Sequence, residues 1–255
     1  MSFHIMTELL NETAMLLVIT IVFVTGIIRG FAGFGSGMII GPSTAAFFGP
    51  QMALAMISII DALPTLPLAW SARKSVNWRE LLPILIGYAA LVPAGIWLLK
   101  SGDPIALRWF ISISILVAVV ILRSGWKYRG PRSKPVSFAF GALGGFMGAA
   151  AALPGPSVLI YWLASTAKAI EVRANMIWYL FLTDLLIIAG YLLNDIYSWE
   201  SLNRAILCIP GYLVGIWIGS RFFSASSEKA YRTIAFLMIL IAALTSLPLL
   251  DGLLR

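Results

Sequence analysis

Six stretches of about 20 apolar residues, separated by short polar segments, constrain this chain more than any other feature. A helix needs ~20 mainly apolar residues to cross a bilayer, and each stretch meets that length. Hydrophobic residues make up 60% of the 255 positions and charged residues 11%, against roughly 45–50% and about 25% in soluble domains. The sequence therefore predicts an all-α polytopic membrane protein. The predicted crossings are 51–71, 81–99, 105–122, 172–193, 203–222 and 231–249.

Two further apolar regions, 14–48 and 136–166, are too long for one crossing and are interrupted by small residues. The first contains a glycine-rich run from Gly30 to Gly37, and the second contains Gly144 to Ala150 followed by Pro154-Gly155-Pro156-Ser157. Non-helical backbone within a membrane is tolerated where it is buried in protein or lines a cavity. Both regions are therefore predicted to form re-entrant helix hairpins. The alternative is that these glycines are ordinary helix-packing contacts.

Basic residues orient these segments. The linker from Arg123 to Lys134 holds five basic residues and no acidic one, so the positive-inside rule predicts that it is cytoplasmic. Counting crossings outward from this linker requires the hairpin at 14–48 to enter and leave from the outside. The hairpin at 136–166 must likewise enter and leave from the inside. Both termini are then predicted to be extracytoplasmic.

The two halves of the chain are similar in order and spacing. Each is a predicted hairpin followed by three crossings, and an odd number of crossings inverts the second half relative to the first. The first repeat covers 1–123, the linker 124–135 and the second repeat 136–255. Inverted repeats with broken helices at matching positions are typical of secondary transporters. The matched residues include Gly26, Gly30, Phe31 and Gly33 with Gly141, Gly145, Phe146 and Gly148, and Gly41-Pro42-Ser43 with Gly155-Pro156-Ser157. Farther along, Trp78 matches Trp199, Gly95-Ile96-Trp97 matches Gly215-Ile216-Trp217, and Arg108 matches Arg232.

The hairpin tips form the predicted substrate site. A half-helix that begins inside the membrane presents free N–H groups and a partial positive charge, which suits a small anion. Pro42 and Pro156 are expected near the start of the returning half-helices, where a missing N–H costs little. The predicted substrate-binding residues are Arg29, Gly33, Phe34, Gly35, Ser36, Gly37, Pro42, Ser43, Gly148, Gly155, Pro156 and Ser157.

Arg29, Asp61 and Asp184 are charged residues that lie well away from the ends of their predicted membrane segments, where charge is costly and therefore indicates function. Asp61 and Asp184 lie near the middle of their crossings, and each is a candidate for proton coupling. The alternative is that both carboxylates only accept structural hydrogen bonds. Arg29 adjoins the first tip, where it is expected to pair with Asp61 or with an anionic ligand, or to extend toward the interface.

The glycine-rich run from Gly30 to Gly37, with Gly41-Pro42 after it and a weaker echo from Gly145 to Pro156, resembles the TauE/SafE family of sulfite-exporter-like permeases. The resemblance covers essentially the whole chain. It implies transport of small anions such as sulfite or organosulfonates, and a location in the bacterial inner membrane. The second copy is alanine-rich from Ala149 to Ala152, which departs from the family pattern.

The leading interpretation is a secondary permease, not an enzyme, that moves a small anion by alternating access. Two alternatives remain open at this point: an intramembrane lipid-phosphate hydrolase, and a cation permease that uses Asp61 and Asp184. A hydrolase should need Arg and carboxylates at the tips, and the segment from Pro154 to Val158 has neither.

The remaining features of the composition indicate which cofactors and binding partners to expect. One cysteine, Cys208, and one histidine, His4, argue against a metal centre, and no cofactor is expected. The net charge of +7 comes from basic residues spread between the apolar runs, so nucleic-acid binding is not expected. The expected partners are a small anion and membrane lipid. A coupling ion, H⁺ or Na⁺, and a homo-oligomer are both left open.

Overall fold

The computed structural model describes residues 2–124, 130, 133–163 and 168–224. In this part of the chain the secondary structure is helical, without strands, and the predicted crossing at 231–249 lies outside it. The α-helices are α1 (Ser2–Ala32), α2 (Ser36–Phe48), α3 (Pro50–Ala72), α4 (Trp78–Ser101), α5 (Pro104–Arg123), α6 (Lys134–Ala151), α7 (Gly155–Leu163), α8 (Ala169–Leu192) and α9 (Trp199–Ser224).

Five segments in the described residues are long and apolar enough to cross a membrane. Their mean hydropathies range from 1.5 to 2.3, so the expected all-α polytopic membrane protein is confirmed. Most of the observed helices extend a few residues beyond the predicted crossings. For example, α4 begins at Trp78 and α9 begins at Trp199. The segments are Glu12–Ala32, Pro50–Ser75, Trp78–Ser101, Ile170–Leu192 and Trp199–Phe222.

Two interruptions of the helical backbone fall in the two glycine-rich regions. The first separates α1 from α2 at residues 33–35, where Gly33 and Gly35 have φ of 81° and 103°. The second separates α6 from α7 at residues 152–154, where Ala152 has φ of 55°. Residues with a side chain rarely adopt positive φ, so glycine at 33 and 35 allows α1 to end abruptly and α2 to begin at once.

These two breaks correct one expectation about the prolines. Pro156 is the second residue of α7, near the start of the returning helix as predicted, but Pro42 lies inside α2. The prediction for Pro42 was wrong because it paired Gly41-Pro42-Ser43 with Gly155-Pro156-Ser157. The positive φ at Gly35 starts α2 six residues before Pro42, so Ser36 rather than Pro42 occupies the first turn.

Two pairs of helices, α1 with α9 and α4 with α6, pack backbone against backbone through glycine. A Cβ atom added to Gly26 would lie 2.6 Å from the carbonyl oxygen of Tyr212, and one added to Gly95 would lie 2.5 Å from that of Phe146. Such close approach requires small residues at the interface. The contacts advance in the same direction along both partners, so the helices of each pair run parallel.

Polar contacts identify which helix ends lie together. Trp162, at the end of α7, donates a hydrogen bond to Glu80 at the start of α4, with a distance of 3.2 Å. Because α6 runs parallel to α4, the segment 134–163 begins and ends at the same end of the bundle. The Arg204 guanidinium near the start of α9 lies 3.9 Å from the centre of the Phe48 ring at the end of α2. Because α1 runs parallel to α9, α1 begins at the same end as α2 finishes.

The two breaks meet in the interior. A Cβ atom on Gly37, in the first turn of α2, would overlap the carbonyl oxygen of Ala152 in the second break. Residues 115 positions apart in the sequence are thus in direct backbone contact. The fold brings the starts of α2 and α7 to one place.

Candidate functional site

A cavity of about 40 Å³ lies where the two breaks meet. A single water needs roughly 10–15 Å³ of such space, so the cavity has room for more than one water-sized group. Residues from both breaks and from helices α3, α4 and α8 line it. They are Gly35, Ser36, Gly37, Leu54, Ile57, Ser58, Asp61, Tyr88, Gly148, Ala152, Leu153, Pro154, Gly155, Pro156, Leu180, Asp184, Ile187 and Tyr191.

The first turns of α2 and α7 both line this cavity. Ser36 and Gly37 begin α2, and Gly155 and Pro156 begin α7. The first N–H groups of a helix have no partner within the helix, and the helix dipole adds a partial positive charge there. The cavity therefore has two partially positive ends, built without a full charge.

A buried polar cluster centred on Asp61 joins α1, α2, α3 and α9. The Arg29 Nε atom lies 3.3 Å from Asp61 Oδ1, and the Arg29 side chain is fully buried. Ser36 donates a hydrogen bond of 2.6 Å to Asp61 Oδ2, and Tyr212 donates a short one to Oδ1. The opposite formal charges of Arg29 and Asp61 offset each other. The hydrogen bond from Ser36 to Asp61 anchors the start of α2 to α3.

Arg173 caps the C-terminal end of α1 at the first break. Its Nε donates to the Phe31 carbonyl at 3.0 Å and its Nη2 to the Gly30 carbonyl at 2.6 Å. These carbonyls belong to the last turn of α1, where a cation is favourable. The sequence analysis did not single out Arg173, which the structure buries near the start of α8.

The second break is held by tyrosine hydroxyls from α8. Tyr179 donates to the Pro154 carbonyl at 3.0 Å, and Tyr191 donates to the Ala149 carbonyl at 2.7 Å. Tyr191 also lines the cavity. Sequence reasoning did not single out these tyrosines, because nothing local marks a residue whose partner is 25 or 42 positions away.

Asp184 faces the cavity with an unused polar atom. Within the described part of the chain, Asp184 Oδ2 has no hydrogen-bond partner, and the fully buried Tyr88 lines the same cavity. Buried polar groups are nearly always paired, so an orphan at a cavity wall indicates a partner absent from the protein itself. Asp184 differs in this respect from Asp61, whose two oxygens each accept a hydrogen bond.

The predicted site residues divide into two groups. Eight of them line the cavity together: Gly35, Ser36, Gly37, Asp61, Gly148, Gly155, Pro156 and Asp184. The other six do not line it: Arg29, Gly33, Phe34, Pro42, Ser43 and Ser157. Of these six, Arg29 acts on the cavity through Asp61, and Gly33 forms the first break. The cavity also includes Tyr88, Tyr191 and Ala152, which sequence reasoning did not predict.

The loop between α8 and α9 covers one side of the site. The Tyr197 hydroxyl in this loop lies 2.6 Å from the Ser58 hydroxyl, and Ser58 lines the cavity. Burial raises the pKa of Tyr197 to about 12, while the hydrogen bond with Ser58 acts in the opposite direction. Tyr197 is therefore neutral at physiological pH and contributes a hydroxyl but no charge.

The comparisons with known proteins agree with the earlier resemblance. The family described as Sulfite exporter TauE/SafE matches residues 18–246, which is most of the chain. The resemblance stated from the glycine-rich runs is therefore confirmed. Comparison with curated proteins and comparison with solved structures find no match.

Proposed function

Because the chain belongs to the sulfite exporter TauE/SafE family, a family of membrane transporters, we propose that it is a secondary transporter of a small sulfur-containing anion, such as sulfite or an organosulfonate. The observation that carries this proposal is the pair of helix N-termini, at Ser36 and Gly155, that line one cavity. The anion would lie between them, near the middle of the membrane. Free N–H groups are strong donors to oxyanions, and no full positive charge is needed.

The charges around the cavity favour an anion that arrives with a proton. The Arg29–Asp61 pair is neutral, so Asp184 decides the net charge of the site. An ionised Asp184 would repel an anion, whereas a protonated Asp184 could donate a hydrogen bond to it. We therefore propose that one proton binds at Asp184 with each anion. The titratable and charged groups that interact electrostatically with Asp184 or share its cavity are Arg29, Asp61, Tyr88, Tyr179, Tyr191 and Tyr197.

This assignment separates the two candidate carboxylates. Asp61 is held by Arg29, Ser36 and Tyr212, so protonating it would leave a buried cation without its partner. We assign Asp61 a positioning role, in which it fixes the start of α2 through Ser36. Asp184 has an unpaired oxygen at the cavity wall and can gain or lose a proton without breaking such a cluster.

Alternating access between two inverted halves is the proposed mechanism. Two features of the fold support it. The segment 134–163 begins and ends at one end of the bundle, and the segment 14–48 begins and ends at the other end. The breaks within the two segments are in contact through Gly37 and Ala152. Two re-entrant segments from opposite ends would give two similar arrangements, each open to one side.

We further propose that the protein lies in the bacterial inner membrane with both termini extracytoplasmic. Labelling of Ser2→Cys in intact cells by an impermeant maleimide tests that orientation, with the buried Cys208 changed to Ala beforehand.

Binding of methanesulfonate to the purified protein tests the function, because a sulfonate keeps its charge across the tested pH range. A ligand that binds only the folded state raises its thermal stability. If one proton binds with each anion, affinity should fall by about tenfold for each pH unit above the point where Asp184 loses its proton. The Asp184→Asn variant should bind with little dependence on pH. Glu200→Gln, an exposed carboxylate on α9, is the matched control and should behave as wild type.

The test has outcomes that would overturn the proposal. If neither sulfite nor any sulfonate binds, or crosses liposome membranes under any ion gradient, the anion transporter is wrong. If Asp184→Asn retains the full pH dependence, Asp184 is not the proton site. A cation permease is the second candidate, because Asp61 and Asp184 line one cavity. Stabilisation by a monovalent or divalent cation in the absence of any anion would favour it.

A further inference from the structure

A groove of about 830 Å³ lies on the surface of the α4–α6 pair, away from the central cavity. Arg79 at the start of α4 and Lys134 at the start of α6 both line it. Because α4 and α6 run parallel, their first residues lie at the same end of the bundle, so the two cations belong to one end of the groove. The remaining lining residues are apolar: Leu82, Pro83, Ile86, Pro135 and Phe138.

We propose that this groove binds an anionic phospholipid, with the phosphate between Arg79 and Lys134 and an acyl chain along Leu82, Ile86 and Phe138. Basic pockets between membrane helices bind anionic headgroups, and each basic residue near the surface adds attraction. No carboxylate occurs among the described residues that line the groove. The charge and the apolar surface thus match the two parts of one lipid.

The exposure of the side chains fits a lipid rather than a protein core. Leu82, Ile86 and Phe138 are 53%, 63% and 41% exposed, on a face that a bilayer would cover. Arg79 and Lys134 are also exposed. The sequence predicts this end to be cytoplasmic, where anionic lipids concentrate. A second copy of the chain is a poorer occupant, because a symmetric contact would bring like charges together.

The two helices that form the groove are packed backbone against backbone. A Cβ atom on Gly87 would overlap the Phe138 carbonyl oxygen, and one on Gly141 would overlap that of Ile84. These contacts fix the spacing of α4 and α6 beside the lining residues Ile86 and Phe138. A fixed spacing lowers the ordering cost of binding.

Lipid binding to the full-length, delipidated protein tests this proposal. Affinities for phosphatidylglycerol and phosphatidylcholine would be measured by native mass spectrometry. Wild type should prefer phosphatidylglycerol, and the double variant Arg79→Gln/Lys134→Gln should lose about 30-fold in affinity for it, and with that its preference over phosphatidylcholine. Arg79→Lys/Lys134→Arg keeps both charges and should keep the preference.

Lys100→Gln is the matched control, because Lys100 lines a smaller groove with Pro93, Ile96 and Trp97 at the opposite end of α4. It should leave phosphatidylglycerol affinity at the wild-type value. Equal affinity of wild type for the two lipids would overturn the proposal, as would an unchanged preference in the double variant that lacks both charges. A changed oligomeric state in the double variant with unchanged lipid binding would identify a contact between copies, and would overturn it too.

Discussion

The buried Arg29–Asp61 pair gives the sharpest test of the energetics of this site. In Arg29→Met, Asp61 loses its cation while remaining inside the bundle, where its side chain is only 7% exposed. Removing one partner of a buried ion pair typically costs about 3–5 kcal/mol, because the remaining charge is uncompensated. The hydrogen bonds from Ser36 and Tyr212 remain, so we expect the lower half of this range.

Removing the second charge should then restore stability. In Arg29→Met/Asp61→Asn no buried charge is left unpaired, and replacing a whole ion pair with neutral groups is often close to neutral. The double variant is therefore expected to be more stable than Arg29→Met, with a coupling free energy of about 2 kcal/mol or more. Thermal unfolding in detergent measures this, and a difference of 2 kcal/mol corresponds to roughly 4–8 °C for a chain of this size.

The control is Glu200→Gln, which removes an exposed partner of Arg204 and should change stability by about 0.5 kcal/mol or less. A double variant no more stable than Arg29→Met would refute the reasoning.

Two further predictions concern the break contact and the loop. Gly37→Ala places a methyl group against the Ala152 carbonyl and should slow anion transport in liposomes at least tenfold, whereas Gly41→Ala, with 3.7 Å to the nearest atom, should keep the wild-type rate. Equal rates in the two variants would count against tight contact between the breaks. Tyr197→Phe loses the hydrogen bond with Ser58 and should lower stability by about 1 kcal/mol. The pKa of Tyr197 is raised to about 12, so the tyrosine stays protonated below that value. The pH profile of transport between pH 5 and 9 should therefore be the same in Tyr197→Phe and in wild type. A different profile would show that Tyr197 titrates during transport.

The fold was largely predictable because the length and the apolar composition of a segment identify a membrane-spanning helix. The positions of the breaks were predictable only approximately. Several glycines lie between Gly30 and Gly41, and each could have adopted positive φ. Only three-dimensional packing selects Gly33 and Gly35, and this selection moved Pro42 from the predicted tip into the interior of α2.

Charged residues that line the cavity were predictable, because charge inside a membrane is costly. Residues that reach the site only through the packing of distant helices were less predictable. Asp61 and Asp184 were found because a carboxylate within a membrane segment indicates function, and both line the cavity. Tyr212 was missed, since its partner Asp61 lies 151 positions away and no local pattern connects them. Arg173 was missed for a different reason. A basic residue near the start of a crossing is ordinarily a topological signal, and here it also caps the end of α1.

Breaking a helix inside a membrane creates two ends at once, and the carbonyl end would repel the anion that the N–H end attracts. The free carbonyl groups accept hydrogen bonds from different donors at the two breaks. A guanidinium covers the end of α1, whereas neutral phenols cover the Ala149 and Pro154 carbonyls of the second break. Hydrogen bonds from charged donors contribute about 1.5–3 kcal/mol and neutral ones about 0.5–1.5. The second break is thus held by the weaker hydrogen bonds. Under the alternating access proposed above, the opening movement is expected to begin there.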